Sequence, residues 1–114
     1  MKTNELTGAA LDWAVAKCEG WLETRSCYVF NHQVWDATIP GEDSILYSPS
    51  INWAQGGPII ERERLDIYGY DGENWCANDN LRATQYGPTP LVAAMRCYVA
   101  SKLGDTVELP EGLE

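Results

Sequence analysis

The stretch that decides the fold runs from Thr89 to Gly104 and reads TPLVAAMRCYVASKLG. Thr89 is a good N-cap, and Pro90 suits the first helical position because its missing N–H would have no partner there. Glycine at 104 is typical of a residue that ends a helix. One apolar stripe at helical spacing runs along the segment and comprises Leu91, Ala94, Met95, Tyr98 and Val99. This pattern predicts a helix over about residues 90–103.

A second helix is predicted near the N-terminus, over about residues 8–19. Thr7 can cap it, and Gly20 is a plausible stop. Its apolar residues again recur at helical spacing and are Leu11, Ala14, Val15 and Cys18.

The residues between the two helices carry strand and turn signals instead. The runs 27–30, 45–47, 59–70 and 75–77 favour strands because they are rich in β-branched and aromatic residues. The pair Asp71-Gly72 predicts a hairpin between the last two runs. Glycine and proline punctuate the remaining stretches, so 35–43, 48–58 and 78–87 are predicted to be loops.

These elements predict an α+β domain with a mostly antiparallel sheet packed on one face by the two helices. A length of 114 residues favours a single domain over residues 1–114. Residues 105–114 contain four acids and no base, so they are predicted to form an exposed acidic C-terminal tail.

Net charge and hydropathy limit the classes of function that the protein can have. The net charge of -9 disfavours direct nucleic-acid binding, because an acidic surface repels phosphate. No run approaches the roughly 20 apolar residues that a membrane span needs. The first five residues, Met1-Lys2-Thr3-Asn4-Glu5, show no apolar signal region, so a cytoplasmic location is expected.

The sequence contains no catalytic signature. His32 is the only histidine, and no two of the four cysteines have zinc-knuckle spacing. We therefore expect a protein that is not an enzyme and has no metal and no cofactor. Two catalytic alternatives stay open. One is a nucleophilic pair of Cys27 and His32, and the other is a metal held by carboxylates such as Glu61, Glu63 or Asp66.

The segment from Ser48 to Pro58 has the residue types of a polar small-molecule pocket. A tryptophan offers a face for stacking, a glycine pair allows close backbone approach, and arginines fit phosphate. The predicted ligand-binding residues are Ser48, Ser50, Asn52, Trp53, Gln55, Gly56, Gly57, Arg62 and Arg96.

The same residues also have a purely structural interpretation. Trp53 could plug the core, Gly56-Gly57-Pro58 could be a turn, and the arginines could pair with nearby acids on a solvated strand face. Exposure of Trp53 would distinguish the two interpretations.

Three blocks of the chain carry a family resemblance. They are 5–16 (ELTGAALDWAVA), 47–61 (YSPS followed after Ile51 by NWAQGGPIIE) and 87–104 (GPTPLVAAMR followed after Cys97 by YVASKLG). Together they resemble the NinX-like family of small bacteriophage and prophage proteins, whereas residues 20–41 match less clearly. The resemblance implies an unknown-function phage protein that acts in the cytoplasm of an infected bacterial host, and it supplies no catalytic residues to transfer.

Two functions follow as hypotheses. The first is a counter-defence binding module that sequesters a small nucleotide-type signalling molecule without cleaving it. The alternative is an acidic protein-interaction module that inhibits a host enzyme or acts in phage DNA metabolism. A homo-oligomer is expected in either case, because five tryptophans leave aromatic area for an interface.

Overall fold

The computed structural model describes residues 1–22, 24, 27–36, 45–80 and 83–113. Within them a short 3₁₀ helix at Thr3–Glu5 precedes three α-helices and six strands. The helices are α1 (Gly8–Cys18), α2 (Trp53–Glu63) and α3 (Pro90–Leu103). The strands are β1 (Cys27–Phe30), β2 (Gln33–Asp36), β3 (Ile45–Leu46), β4 (Asp66–Gly69), β5 (Trp75–Asn78) and β6 (Thr84–Gly87).

Both predicted helices are confirmed. α1 ends one residue before the predicted limit, and Gly20 follows it with a φ of +77° that suits glycine. The N-cap of α3 is Thr89, whose side chain accepts a hydrogen bond from the N–H of Val92. Thr7 stands at the N-cap of α1 but makes no such bond.

α2 is the main correction to the predicted fold. Residues 48–58 were expected to be a loop and 59–70 a strand, but Trp53–Glu63 is a helix. The inward side of this helix carries Gly56, Ile59 and Ile60, which have helical spacing. Because glycine is not counted as an apolar residue, Gly56 hides the helical spacing of the buried residues in the sequence.

The strands form two three-stranded antiparallel sheets, so the prediction of one sheet is wrong. The first has the order β1-β2-β3, and a two-residue loop of Asn31 and His32 joins its first two strands. Both loop residues have positive φ, of 54° and 61°, as a type I′ hairpin turn requires. The predicted loop 35–43 is wrong at its start, because residues 35 and 36 belong to β2. Its remaining residues, 37–43, lie outside the described residues.

The second sheet has the order β4-β5-β6. The predicted hairpin is confirmed, although its loop is longer than an Asp-Gly pair, since Gly69 pairs with Trp75. The carboxylate of Asp71 shapes the loop by accepting the N–H groups of Glu73 and Asn74, both at 2.7 Å. β6 corrects the prediction that 78–87 is entirely a loop, because Thr84–Gly87 pairs with β5.

The core lies where α3 packs on the second sheet and meets α1. Gly87 lets the two approach closely, since a Cβ there would lie 2.7 Å from the backbone nitrogen of Ala93. α3 is buried along most of its length.

The C-terminal residues are not the exposed tail that was predicted. Thr106 bridges to Lys2, and the N–H of Val107 donates to the carbonyl of Met1 at 2.9 Å. Val107 and Leu113 are buried, and their apolar side chains are part of the core. The acidic side chains between them are exposed, as their charge requires.

The architecture is therefore α+β, as predicted, and the described residues form three α-helices and two sheets in place of two helices and one sheet. The assignment of residues 1–114 to a single domain stays a prediction.

Candidate functional site

Seven of the nine predicted ligand-binding residues lie together in the turn before α2 and its first turns, between Ser48 and Gly57. We call residues 48–57 the α2 corner. The other two, Arg62 and Arg96, lie later in α2 and in α3.

Hydrogen bonds within the chain organise the α2 corner. The N–H of Ser48 donates to Gln55 Oε1 at 2.7 Å, and Gln55 Nε2 donates to the carbonyl of Leu46 at 3.0 Å. Asn52 caps the helix by accepting the N–H of Ala54 at 2.9 Å. These polar groups join the start of α2 to β3, which is a structural role.

Ser50 is buried beneath the corner, with 1% of its surface exposed. Its N–H donates to Asp12 Oδ1 in α1 at 2.9 Å, whereas its hydroxyl oxygen has no hydrogen-bond partner within the described part of the chain. Burial raises the pKa of Asp12 to about 6, and the bond from Ser50 lowers it by less. Ser50 therefore faces the interior of the protein.

The glycine pair lies inside α2, so the turn interpretation is wrong for it. A Cβ at Gly56 would lie 2.5 Å from the carbonyl oxygen of Pro49 and 2.7 Å from Leu91 Cδ2. The close approach that glycine permits is therefore used for packing within the chain. Gly57 is different, since beyond its chain neighbours and the helix backbone the nearest atom to a Cβ there is Trp53 Cε3 at 4.0 Å.

Trp53 is 56% exposed and is accompanied by Ile51, which is 74% exposed. The interpretation of Trp53 as a core plug is therefore wrong. Its indole surface is available for stacking, as a binding role requires.

The donors of Arg62 point to acids and a tyrosine away from the α2 corner. Arg62 makes a two-pronged contact with Glu19 at 3.0 and 3.2 Å, and it also donates to Glu63 at 2.8 Å and to the Tyr98 hydroxyl at 3.1 Å. These bonds raise the pKa of Arg62 and lower that of Glu63. The cluster joins α2 to α1 and α3.

Arg96 is also held within the protein. Its Nε donates to the carbonyl of Leu6 at 2.9 Å, and its Nη1 donates to the carbonyl of Tyr86 at 2.8 Å. Burial lowers its pKa. Neither arginine therefore converges on Trp53 within one copy of the chain.

Two of the surface cavities in the described part of the chain lie elsewhere, and none of the nine residues lines either of them. One of about 370 Å³ is lined by Lys2, Asn4, Gln85, Asp105 and Thr106. The other, of about 340 Å³, is lined by Met1, Glu5, Thr7, Ala9, Ala10, His32, Gly112 and Leu113. Both lie beside the N-terminal residues.

A surface that the sequence analysis missed lies on the second sheet. Tyr68 and Tyr86 flank Cys76 in register across the three strands, so their side chains share one face, and Tyr70 shares it by alternation. Each tyrosine is about half exposed, and the rings of Tyr70 and Tyr86 are 4.7 Å apart. We call these three residues the tyrosine face. Only the pairing of β6, which was predicted to be a loop, brings Tyr86 to the others.

The tyrosine face is bordered by acids. Asp66 lies on the same side of β4 as Tyr68, and Asp71 and Glu73 lie in the exposed loop that follows Tyr70. Hydrogen bonds from the N–H groups of Glu73 and Asn74 hold the pKa of Asp71 below its usual value, so this carboxylate stays charged at neutral pH. The aromatic surface thus lies in a negative environment.

The described residues contain no group of three or more His, Cys, Asp or Glu side chains that could hold a metal ion. No helix among them is long and apolar enough to cross a membrane. The four cysteines are free, and burial raises the pKa of Cys18 and Cys97 to about 12.

Comparison with known proteins assigns the family. The model of the family described as bacteriophage P22, NinX matches residues 2–102. A search of curated proteins found no match. The matched residues make up most of the chain, and they include the first two blocks on which the resemblance rested and the third block as far as residue 102. The resemblance is therefore confirmed, and the chain belongs to the bacteriophage P22 NinX family.

Proposed function

We propose that this phage protein acts by binding, and that the tyrosine face takes a basic segment of a protein partner in the cytoplasm of the infected bacterium. The observation that carries the proposal is the grouping of Tyr68, Tyr70 and Tyr86, each about half exposed, on one sheet face. It develops the hypothesis of an acidic protein-interaction module.

Tyrosine suits such a surface for energetic reasons. It supplies a large contact area with few rotatable bonds, and it is enriched among residues that dominate binding energy at interfaces. Its ring also attracts cations, arginine in particular. An arginine-bearing segment could place guanidinium groups on Tyr70 and Tyr86.

The charge of the protein also favours a partner with a basic segment. The net charge of -9 and the carboxylates of Asp66, Asp71 and Glu73 favour a basic segment and repel an acidic one. Attraction of this kind accelerates encounter and weakens as salt screens it.

The experiment is a pulldown from lysate of infected cells with three forms of the protein. We expect the wild type to retain a partner that salt elutes, and the Tyr70→Ser/Tyr86→Ser double variant to lose it. Ile45→Ser is the matched control, because it removes an exposed apolar side chain from β3, outside both the tyrosine face and β1. Equal retention by the double variant would show that another surface binds the partner.

A second candidate function is sequestration of a small nucleotide-type signalling molecule at the α2 corner. Trp53 favours it, because its exposed indole could stack on a base. The internal bonds of Gln55, Arg62 and Arg96 count against a complete pocket in one copy, so this function needs groups contributed by a second copy.

A thermal-shift screen against linear and cyclic nucleotides tests this second function. A ligand at a hundredfold excess over its Kd stabilises the folded state by about 2.7 kcal/mol, which is a visible shift. We expect Trp53→Ala to abolish the shift and Trp75→Ala, at an exposed tryptophan of the second sheet, to keep it. The ligand should be recovered unmodified after heating. A panel without any shift would eliminate sequestration and leave binding at the tyrosine face unaffected.

A further inference from the structure

We propose that two copies of this chain associate by antiparallel pairing of β1 with β1, which joins their first sheets into one six-stranded sheet. This proposal concerns a different surface from the tyrosine face and does not rest on the proposed function. β1 is an edge strand, with β2 as its only neighbour in the described sheet.

The hairpin geometry shows which backbone groups of β1 are open. Phe30 and Gln33 close the two-residue turn, so the backbone groups of Phe30 and, by alternation, Tyr28 point toward β2. Those of Cys27 and Val29 point away from the sheet. Val34, opposite Val29, agrees with this pattern because its carbonyl turns toward the β3 side and accepts the N–H of Tyr47 at 2.8 Å.

Within the described residues the edge of β1 lacks the usual protection against pairing. Natural edge strands carry lysine, proline or a bulge, whereas β1 reads CYVF and pairs in regular register. Tyr28 and Phe30 are exposed on its outer side, Phe30 by 66%. A strand of this kind is a template for another extended strand.

Charge and symmetry favour a second copy as the occupant. A chain of net charge -9 repels its own copies over most of its surface. In the strands that the structure describes, the outer face of the first sheet carries no charged side chain, since its side chains are those of Tyr28, Phe30, Gln33, Trp35 and Leu46. Two acidic copies can therefore meet there without bringing like charges into contact.

The pairing register follows from the open groups. A two-fold axis beside Val29 lets the two Val29 residues exchange N–H and C=O bonds. Tyr28 of each copy then lies across from Phe30 of the other, which gives two cross-strand aromatic pairs. The side chains that meet cover several hundred Å², less than the roughly 1,200 Å² at the lower limit of standard interfaces. The dimer is therefore weak and depends on concentration.

The test is sedimentation equilibrium of the full chain from about 10 µM to about 1 mM, a range that brackets weak association. We expect the mass to rise from 12.7 kDa toward twice that value. We expect salt to strengthen association, because it screens repulsion between the copies. Salt has the opposite effect on a basic partner at the tyrosine face, so the two proposals fail separately.

Two variants locate the interface. Phe30→Glu places a carboxylate in each aromatic pair, and Val29→Pro removes the outward N–H, which an edge strand tolerates in the monomer. Both should stay at the monomer mass with an unchanged far-UV circular dichroism spectrum. Ile51→Glu makes the same kind of change at a more exposed apolar side chain and should associate like the wild type. A wild-type mass that stays constant over the range would overturn the proposal, as would association retained by Phe30→Glu.

Discussion

Asp12, in α1, accepts a hydrogen bond of 2.9 Å from the N–H of Ser50, in the turn before α2, and both residues are buried. Desolvation raises the pKa of Asp12 from 3.8 to about 6. A group with a raised pKa binds its proton more tightly in the folded state. The stability that Asp12 contributes is therefore fully present below about pH 4 and is lost as the pH rises to about 6.

Asp12→Asn should remove this pH dependence, because the amide keeps an oxygen acceptor for Ser50 and does not ionise. At pH 7.5 the variant should be more stable than the wild type by up to roughly 3 kcal/mol, since one pKa unit corresponds to about 1.4 kcal/mol. Urea unfolding at about pH 4.5 and pH 7.5 measures the difference. Asp66→Asn, at an exposed carboxylate, is the control and should keep the wild-type profile. An unchanged pH profile in Asp12→Asn would mean that another group titrates.

The adjacent glycines of α2 should respond differently to alanine. Gly56→Ala brings a Cβ within 2.5 Å of the Pro49 carbonyl oxygen, so overpacking should destabilise the protein by about 1–3 kcal/mol. Gly57→Ala meets no atom beyond its chain neighbours closer than 4.0 Å. Its gain in helix propensity is offset because the ring of Pro58 disfavours the helical conformation of a preceding residue with a Cβ, so stability should change by less than about 1 kcal/mol. Thermal unfolding of the two variants compares them directly. Equal effects would contradict the packing of α2 against Pro49 and Leu91.

The two threonine caps provide a second matched pair. Thr89→Ala removes the acceptor for the N–H of Val92 and should destabilise the protein by about 1 kcal/mol. Thr7→Ala removes a hydroxyl that makes no capping bond, so its cost should be a few tenths of a kcal/mol. Chemical denaturation resolves this difference. A cost for Thr7→Ala as large as that for Thr89→Ala would indicate a capping bond at α1 in solution.

The sequence predicts the elements whose local signals agree with their packing. α3 combines a cap, an N-terminal proline and an apolar stripe, and the structure buries that stripe. α2 contains Gly56, Gly57 and Pro58, which oppose helix formation, so packing against α3 decides its conformation. β6 likewise depends on its partner strand.

The candidate site, too, depends on tertiary contacts that the sequence does not reveal. Residue type grouped Arg62 and Arg96 with Trp53 in the predicted pocket, but their partners come from residues far apart in the chain, such as Glu19 and Leu6. The tyrosine face depends on strand pairing in the same way. Composition indicates which functional groups the chain contains, whereas tertiary contacts determine which of those groups remain available to bind a ligand or partner.

Substitution of Val107 tests whether the C-terminal residues form part of the core. Its side chain is buried, and its N–H and C=O both bond to Met1, each at 2.9 Å. Val107→Ala should therefore destabilise the protein by about 2 kcal/mol, from lost burial and the cavity that remains. Glu108→Ala, at the exposed neighbour, should change stability by no more than about 0.5 kcal/mol. If the two substitutions had the same small effect in urea unfolding, residues 105–113 would behave as the exposed acidic tail that their composition predicts. A difference of the expected size would show that residues beyond α3 stabilise the N-terminal edge of the fold.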